Sequence, residues 1–356
     1  MKIIHTSDIH IDSPLTTRLP SDKVRERRRE LLSGFSRMVE EAKLISADAV
    51  IIAGDLFDSE RITKKALDTA LDVIERAENI TFLYLTGNHE GDALFNSTRP
   101  MPKNLVTFGK EWTYFTIGSV TIAGRSEIRE GMFDSLALPE ETKNIVVLHG
   151  ELRDRTAAPE TIGIKDAVGR GIDYMALGHY HSYSRTEIDE RGYAVYSGTP
   201  EGRGFDEVGD KGYVIIDTDA RRVESGFRKF AKRRLHIVKV DITGILRTSD
   251  IDDRVRAAVR DIPASDMVRI ELVGGYSPEL WKDTDKLCHD FSGSFYYFEV
   301  KDLSKIAINP EDYKYDKSLK GEFIRTVGLD DSLDDATKAR VIACGINALM
   351  GEELFD

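Results

Sequence analysis

Cysteine is scarce: the chain of 356 residues holds two, Cys288 and Cys344, and no Cys-x-x-Cys pair. That argues against a disulfide framework or a cysteine-built zinc site and fits a reducing compartment. Long apolar runs are missing too. No stretch approaches the roughly 18 residues a membrane helix needs. The opening Met-Lys-Ile-Ile-His-Thr-Ser-Asp is too short an apolar segment for a secretory signal core. The expectation is a cytoplasmic protein with no membrane partner. Positive charge is in deficit: 50 Lys and Arg against 62 Asp and Glu leave a formal net charge of -12. A nucleic-acid partner therefore needs a local basic patch or bound metal ions. No Gly-x-x-x-x-Gly-Lys-Ser/Thr loop occurs, so any ATP use belongs to a partner. Internal repeats and low-complexity segments are absent as well.

What is present is a sizeable apolar fraction, 41%, and a length that suits two domains. Lys2–Ser7 reads as a strand and Ser21–Leu44 as a helix with a strongly charged face. Ala49–Ala53 is a continuous apolar run, as expected of a strand covered on both faces. Thr63–Ala77 carries Ala66, Leu67, Ala70, Leu71 and Ile74 as a helical stripe. Ile80–Leu85, Ile145–Leu148 and Tyr174–Leu177 repeat the buried-strand pattern. Hairpins follow from Trp112–Ile117 with Val120–Ala123, Tyr183–Ile188 with Tyr193–Tyr196, and Gly212–Asp217 with Arg222–Phe230. The succession predicts an α/β chain with a mixed-sheet sandwich flanked by helices. From residue 236 the pattern restarts: strand His236–Asp241, helix Ser249–Asp261 capped by Ser249, strand Val268–Val273, helix Ser277–Asp290 and strand Ser294–Val300. A polar stretch, 309–317, leads to a final helix near Leu333–Leu349. The expected domains are 1–235 and 236–356.

Polar signals sit at the ends of these strands. Asp8-Ile9-His10 follows the first, Gly54-Asp55 the second, and Gly87-Asn88-His89-Glu90 the third. His149-Gly150 follows Ile145–Leu148, and Gly178-His179-Tyr180-His181 follows Tyr174–Leu177. Ligands in open α/β sheets gather outside the carboxyl ends of strands. Carboxylate, amide oxygen and imidazole together suit Mn, Fe, Zn or Mg. In Asp-x-His and His-x-His the two side chains of an extended segment point the same way. Glycine before Asp55, Asn88 and His179 lets the backbone turn sharply. Taken singly, His179 and His181 read as a surface loop, Asp55 as a helix cap and Asn88 as a turn residue. Ordered together at successive strand ends, they read as one metal site.

Asp-x-His, Gly-Asp, Gly-Asn-His, a lone His after a strand, and Gly-His-x-His, in that order, resemble the calcineurin-like metallophosphoesterase superfamily over roughly residues 1 to 230. The flanks Asp8-Ile9-His10-Ile11-Asp12-Ser13-Pro14, Ala53-Gly54-Asp55-Leu56-Phe57-Asp58, Ser197-Gly198-Thr199-Pro200-Glu201 and Gly202-Arg203-Gly204-Phe205-Asp206-Glu207 resemble the SbcD/YhaO-type DNA double-strand-break repair nucleases. The resemblance implies a four-layer sandwich of two mixed β-sheets flanked by helices, with a smaller C-terminal α/β capping domain. It implies two divalent ions, manganese first. Asp8, His10 and His181 would hold one, Asn88, His149 and His179 the other, and Asp55 would bridge them. His89 would contact the phosphate or protonate the leaving oxygen. Glu90 stands where these nucleases often have Asp, and Asp58 where some have a histidine that assists exonuclease activity. The implied function is a 3′–5′ DNA exonuclease, with single-strand endonuclease activity beside it. The implied assembly is a homodimer with a coiled-coil SbcC-like ATPase. A phosphoesterase for a small phosphodiester, nucleotide or phosphoprotein, and a non-catalytic DNA-end-binding scaffold, are the alternative readings.

Two basic stretches stand out against the acidic whole. Around the domain junction, Arg228, Lys229, Lys232, Arg233 and Arg234 are candidate DNA contacts. Arg25-Glu26-Arg27-Arg28-Arg29-Glu30 reads as a solvated helix face. Tyr296-Tyr297-Phe298 reads as a strand alternating core and surface rather than a stacking platform for bases.

Overall fold

The computed structural model describes residues 1–15, 19–59, 62–89, 91, 94, 98–308 and 310–350. The chain divides into two compact units, Met1–Arg234 and Leu235–Asp356. The first contains β1 (Lys2–Thr6), α1 (Ser21–Leu44), β2 (Ala49–Ala53), α2 (Lys64–Glu75), β3 (Thr81–Leu85), β4 (Leu105–Thr107), β5 (Thr113–Ile117), β6 (Val120–Gly124) and β7 (Lys143–His149). After these come β8 (Glu151–Arg153), β9 (Thr161–Gly163), α3 (Ile164–Ala167), β10 (Tyr174–Gly178), β11 (Ser184–Glu187), β12 (Tyr193–Tyr196), β13 (Gly212–Asp217) and β14 (Glu224–Lys229).

Two six-stranded sheets carry this unit, in the orders β14-β13-β1-β2-β3-β4 and β11-β12-β10-β7-β6-β5. Strands β1 to β4 run parallel, with β13 pairing antiparallel beside β1 and β14 antiparallel beside β13; β6, β7, β10 and β12 run parallel, and antiparallel β5 and β11 close the edges of the second sheet. The apolar runs explain the layering, because every strand residue must find cover on one face or the other. In β2, Ala49, Ile51 and Ala53 join the core between the sheets, with Ile145, Val147, Ala176 and Val195 opposite. Val50 and Ile52 face the other way, onto Phe35, Met38 and Val39 of α1 and Ala70, Leu71 and Ile74 of α2. Val146, Leu148, Met175 and Leu177 line the outer face of the second sheet, covered by Phe133, Ile162 and Ala167. The result is a four-layer α/β sandwich with helices on one outer face and short, largely irregular segments on the other.

Helix α1 departs from its sequence reading. Its buried residues include Arg27, Glu30, Leu31, Phe35, Met38, Val39 and Ala42. Arg27 and Glu30 lie one turn before Leu31 and Gly34 on the same stripe, so helical periodicity carries them inward with it.

The second unit has β15 (Leu235–Asp241), α4 (Thr248–Val259), β16 (Met267–Val273), β17 (Gly275–Tyr276), α5 (Thr284–Phe291), β18 (Tyr297–Asp302), β19 (Lys305–Ile306), α6 (Leu319–Gly328) and α7 (Asp335–Met350). β15, β16 and β18 form a parallel sheet over a core that includes Ile251, Val255, Ile270, Leu272, Leu287 and Phe291. Phe298 stacks on Phe291 at 5.0 Å, which makes the aromatic run a core strand. Three sequence expectations need correction. Ser249 does not cap α4: the cap position is Arg247, with no side-chain bond. The helix expected from Ser277 begins at Thr284, where Asp283 accepts from the Lys286 amide, and Ser277 makes a turn instead. Helix α6, capped by Ser318, lies between the polar stretch 309–317 and the final helix, where no element was expected. Among the described residues, no helix is long and apolar enough to cross a membrane.

Candidate metal centre

The parallel strands β1, β2 and β3 of one sheet and β7 and β10 of the other each end on a candidate ligand. Beyond β1 and β2 the chain stays paired: the Asp8 amide donates to the Gly54 carbonyl at 3.0 Å and the His10 amide to the Asp55 carbonyl at 3.1 Å. Backbone strain concentrates here. Asp8 (φ 52°), His10 (φ 47°), Asp55 (φ 53°) and His179 (φ 108°) all have positive φ without being glycine. Such a residue costs about 1–3 kcal/mol and persists only where its surroundings impose it.

Asp8, His10 and His181 offer ligand atoms within 4.8 Å of one another, and so do Asp8, Asp55 and His149. Asp55 Oδ2 lies 3.4 Å from His149 Nε2 and 3.9 Å from His10 Nε2, so one carboxylate oxygen faces both imidazoles. Asn88 Oδ1 is 3.0 Å from His149 Nε2, whose other ring nitrogen, Nδ1, sits 2.9 Å from the Ala53 carbonyl. The His179 ring stands against His149 with centroids 5.6 Å apart, and the His179 amide donates to Asp8 at 3.1 Å. His89 lies at the mouth, half exposed, with Nε2 4.0 Å from Asp55 Oδ2. All the candidates from the sequence therefore meet in one place, except Glu90, which lies outside the described residues.

The donor set fits divalent metal ions. His10 is fully buried, yet its Nε2 has no hydrogen-bond partner. Such a nitrogen is costly unless it has a ligand role. The field around it favours positive charge. Burial alone would raise the Asp55 carboxyl, but the hydrogen bond and charge of His149, with the charge of His10, hold it at about 2. Burial alone would lower His149, but the Asp55 hydrogen bond and the charges of Asp8 and Asp55 raise it to about 9.

Sequence reasoning missed the residues behind the ligands. His10 Nδ1 rests on Asp58 Oδ1 at 2.9 Å, and His181 Nδ1 on Glu207 Oε1 at 2.7 Å. Arg203 reaches Asp58 at 2.7 Å and Glu207 at 2.8 Å. The sequence signals were the Gly202–Glu207 stretch and the Ala53–Asp58 flank, in which Asp58 stood only as the replacement for a histidine. The glycines were also read too simply. Gly54 does have positive φ, 92°, but at Gly87 the requirement is space: a Cβ there would meet Asp55 Oδ1 at 1.9 Å.

Residues 1–208 match the calcineurin-like phosphoesterase family. The chain belongs to that family. The Mre11 double-strand break repair protein of Methanosarcina acetivorans is 27% identical over 294 residues, taking in 77% of this chain and 46% of the relative. That of Methanosarcina mazei is 24% identical over 371 residues, all of this chain and 57% of the relative. The metallophosphoesterase YhaO of Bacillus subtilis, itself uncharacterized, is 28% identical over 269 residues, 68% of this chain and 64% of the relative. The phosphoesterase thus spans about half to under two thirds of these relatives.

The junction stretch offered as DNA contacts is internally neutralised. Arg233 is buried against Glu30 and Glu26, and Lys232 pairs with Glu30 at 2.8 Å. Lys229 and Arg234 pair with Asp210 at 2.7 and 3.2 Å, and Arg228 approaches Glu41 at 3.8 Å. A buried Glu30 demands countercharge, and this stretch supplies it.

Proposed function

We propose that this phosphoesterase is a two-metal DNA nuclease: a 3′–5′ exonuclease, with single-strand endonuclease activity beside it. It acts in double-strand-break repair, as a homodimer with an SbcC-like ATPase. The metal chemistry is carried by one observation: the Asp55 carboxylate faces His10 and His149 from between two strand-end clusters. DNA as substrate is supported by the similarity to the Methanosarcina mazei Mre11 protein, which takes in the whole chain, the second unit included. On this reading the second unit caps the substrate or docks the ATPase.

Asp8, His10 and His181 would hold one ion, and Asn88, His149 and His179 the other, with the Asp55 carboxylate shared. Two divalent ions, manganese first and iron, magnesium or zinc as alternatives, supply charge neutralisation for the phosphate and an activated water near neutral pH. The protein's own part is positioning and proton delivery. His89, at the mouth, protonates the leaving oxygen, a role worth about 10²–10⁴-fold.

The test is hydrolysis of end-labelled duplex and single-stranded DNA with Mn, beside bis-nitrophenyl phosphate, by wild type and His89→Gln. Wild type should degrade DNA and the variant should lose roughly 10²–10⁴-fold. Cleavage of the small diester but never of DNA, with or without the ATPase, hands the site to a small phosphodiester, nucleotide or phosphoprotein. Metal binding without any cleavage leaves a scaffold.

A further inference from the structure

A groove of about 440 Å³ runs beside the candidate metal centre, between the first half of α1, the start of α2 and the segment that follows His10. Arg25, Arg28, Arg29 and Lys65 line it, and all four are exposed. In this acidic chain most arginines of the first unit have an acidic partner. These cations do not: among the described residues none makes an ion pair, and the one hydrogen bond is from Arg28 to the Pro14 carbonyl at 2.5 Å. Glu26, their neighbour on α1, turns away to Arg233. The acid in the lining, Asp12, is engaged by the Asp58 amide at 3.0 Å, and Asp58 in turn abuts His10. The groove wall is therefore linked to a candidate ligand through one intervening residue, Asp58.

Uncompensated cations gathered in a concavity repel one another, and a polyanion relieves that repulsion. The start of α2, whose cap residue Thr63 is in the lining, adds the positive end of a helix dipole. We propose that this groove binds the phosphate backbone of the nucleic-acid strand whose end enters the metal centre. The proposal rests on the DNA reading above and gives it a track. It also reverses the sequence assignment: the junction cations are spent on Glu30, Asp210 and Glu41, while the helix face read as merely solvated is the one left open for phosphate.

The experiment measures binding of a fluorescent single strand to the full chain in EDTA, so that nothing is cut, across a salt series. Wild type is compared with Arg25→Gln/Arg29→Gln/Lys65→Gln and with a control, Arg228→Gln/Lys229→Gln/Arg234→Gln. Each lost phosphate contact lowers the slope of log K against log salt by about 0.7. The groove variant should lose about two units of slope and tenfold or more in affinity at low salt. It should keep the wild-type melting temperature and Mn-dependent turnover of bis-nitrophenyl phosphate. The control should bind as wild type does. Unchanged affinity and slope in the groove variant, or an equal loss in the control, overturns the groove while DNA binding by wild type still stands. Wild type that binds no strand even at low salt yet degrades DNA in Mn overturns the groove alone; wild type that does neither overturns the DNA reading as well.

Discussion

His181 and His10 each turn one ring nitrogen toward the site carboxylates and rest the other on an acid, Glu207 at 2.7 Å and Asp58 at 2.9 Å. Arg203 holds both acids in place. Glu207 is kept at about 2: burial opposes its charge, but the His181 hydrogen bond and the Arg203 charge outweigh burial. These acids set the orientation of the ligand rings, so Glu207→Gln should weaken Mn binding about 10–100-fold in a calorimetric titration. Asp58→Asn should act in the same direction. Arg203→Met should weaken binding too, with apo stability reduced much less than affinity. His149 differs, because its support is the Ala53 carbonyl, which no side-chain substitution removes. Gly87→Ala should abolish the Asp55 geometry outright, since the added methyl would have to occupy the space of Asp55 Oδ1. Wild-type Mn affinity in that variant would refute the crowding argument.

Helix α1 does two jobs with one face. From Leu31 onward it packs Phe35, Met38 and Val39 on the first sheet, and before that it buries Arg27 and Glu30. Glu30 binds Arg233 and Lys232, while Arg27 donates to the Gly202 carbonyl at 2.7 Å. The helix start is thereby fastened to the segment that carries Arg203 and Glu207. Removing one partner from a buried pair leaves a charge unmatched, so Glu30→Gln should cost about 3–5 kcal/mol in a urea titration. The pH dependence has a definite sign. Burial alone would raise the Glu30 carboxyl, but Arg233, Lys232 and Arg27 lower it from 4.5 to about 2. Its stabilisation is then fully present above pH 4.5 and is lost as pH falls towards 2. The Glu30→Gln variant should lack that component of the acid sensitivity between those values.

The two units have separate hydrophobic cores, and the candidate ligands all lie in the first. Metal binding should therefore stabilise the first unit selectively. At an Mn concentration 100 times Kd the gain is about 2.7 kcal/mol, or a rise in melting temperature of roughly 5–10 °C. Calorimetry should show this rise in one transition, its loss in EDTA, and its absence in Asp55→Ala, which removes the carboxylate that faces both clusters. A rise that survives Asp55→Ala intact would place the metal elsewhere. Net charge of -12 also bears on the whole protein. If DNA is the substrate, long-range attraction has to come from a local concentration of cations: the sequence offers the junction stretch, and the proposed groove offers Arg25, Arg28, Arg29 and Lys65.

Strand identity and the strand-end motifs were legible along the chain because they depend on neighbours. An apolar run such as Ala49–Ala53 declares a strand covered on both faces, and Gly54-Asp55 marks where it stops. The helical stripe of α1 was legible as well, and extending it one turn back would have carried Arg27 and Glu30 inside. In the second unit, Ser277 and Asp283 were equally good caps by type, and only packing chose between them. Arg203 and Glu207 are four positions apart, but the partners that matter most were out of reach of any local pattern. Glu30 and Arg233 are 203 positions apart, and His181 and Glu207 are 26 apart across a turn of chain. Which elements form, and which residues stand at their ends, was decided by local chemistry written in the sequence. Which cations are neutralised by acids, as Arg233 is by Glu30, was decided by the tertiary fold, because ion pairing depends on distance in space and only folding sets that distance.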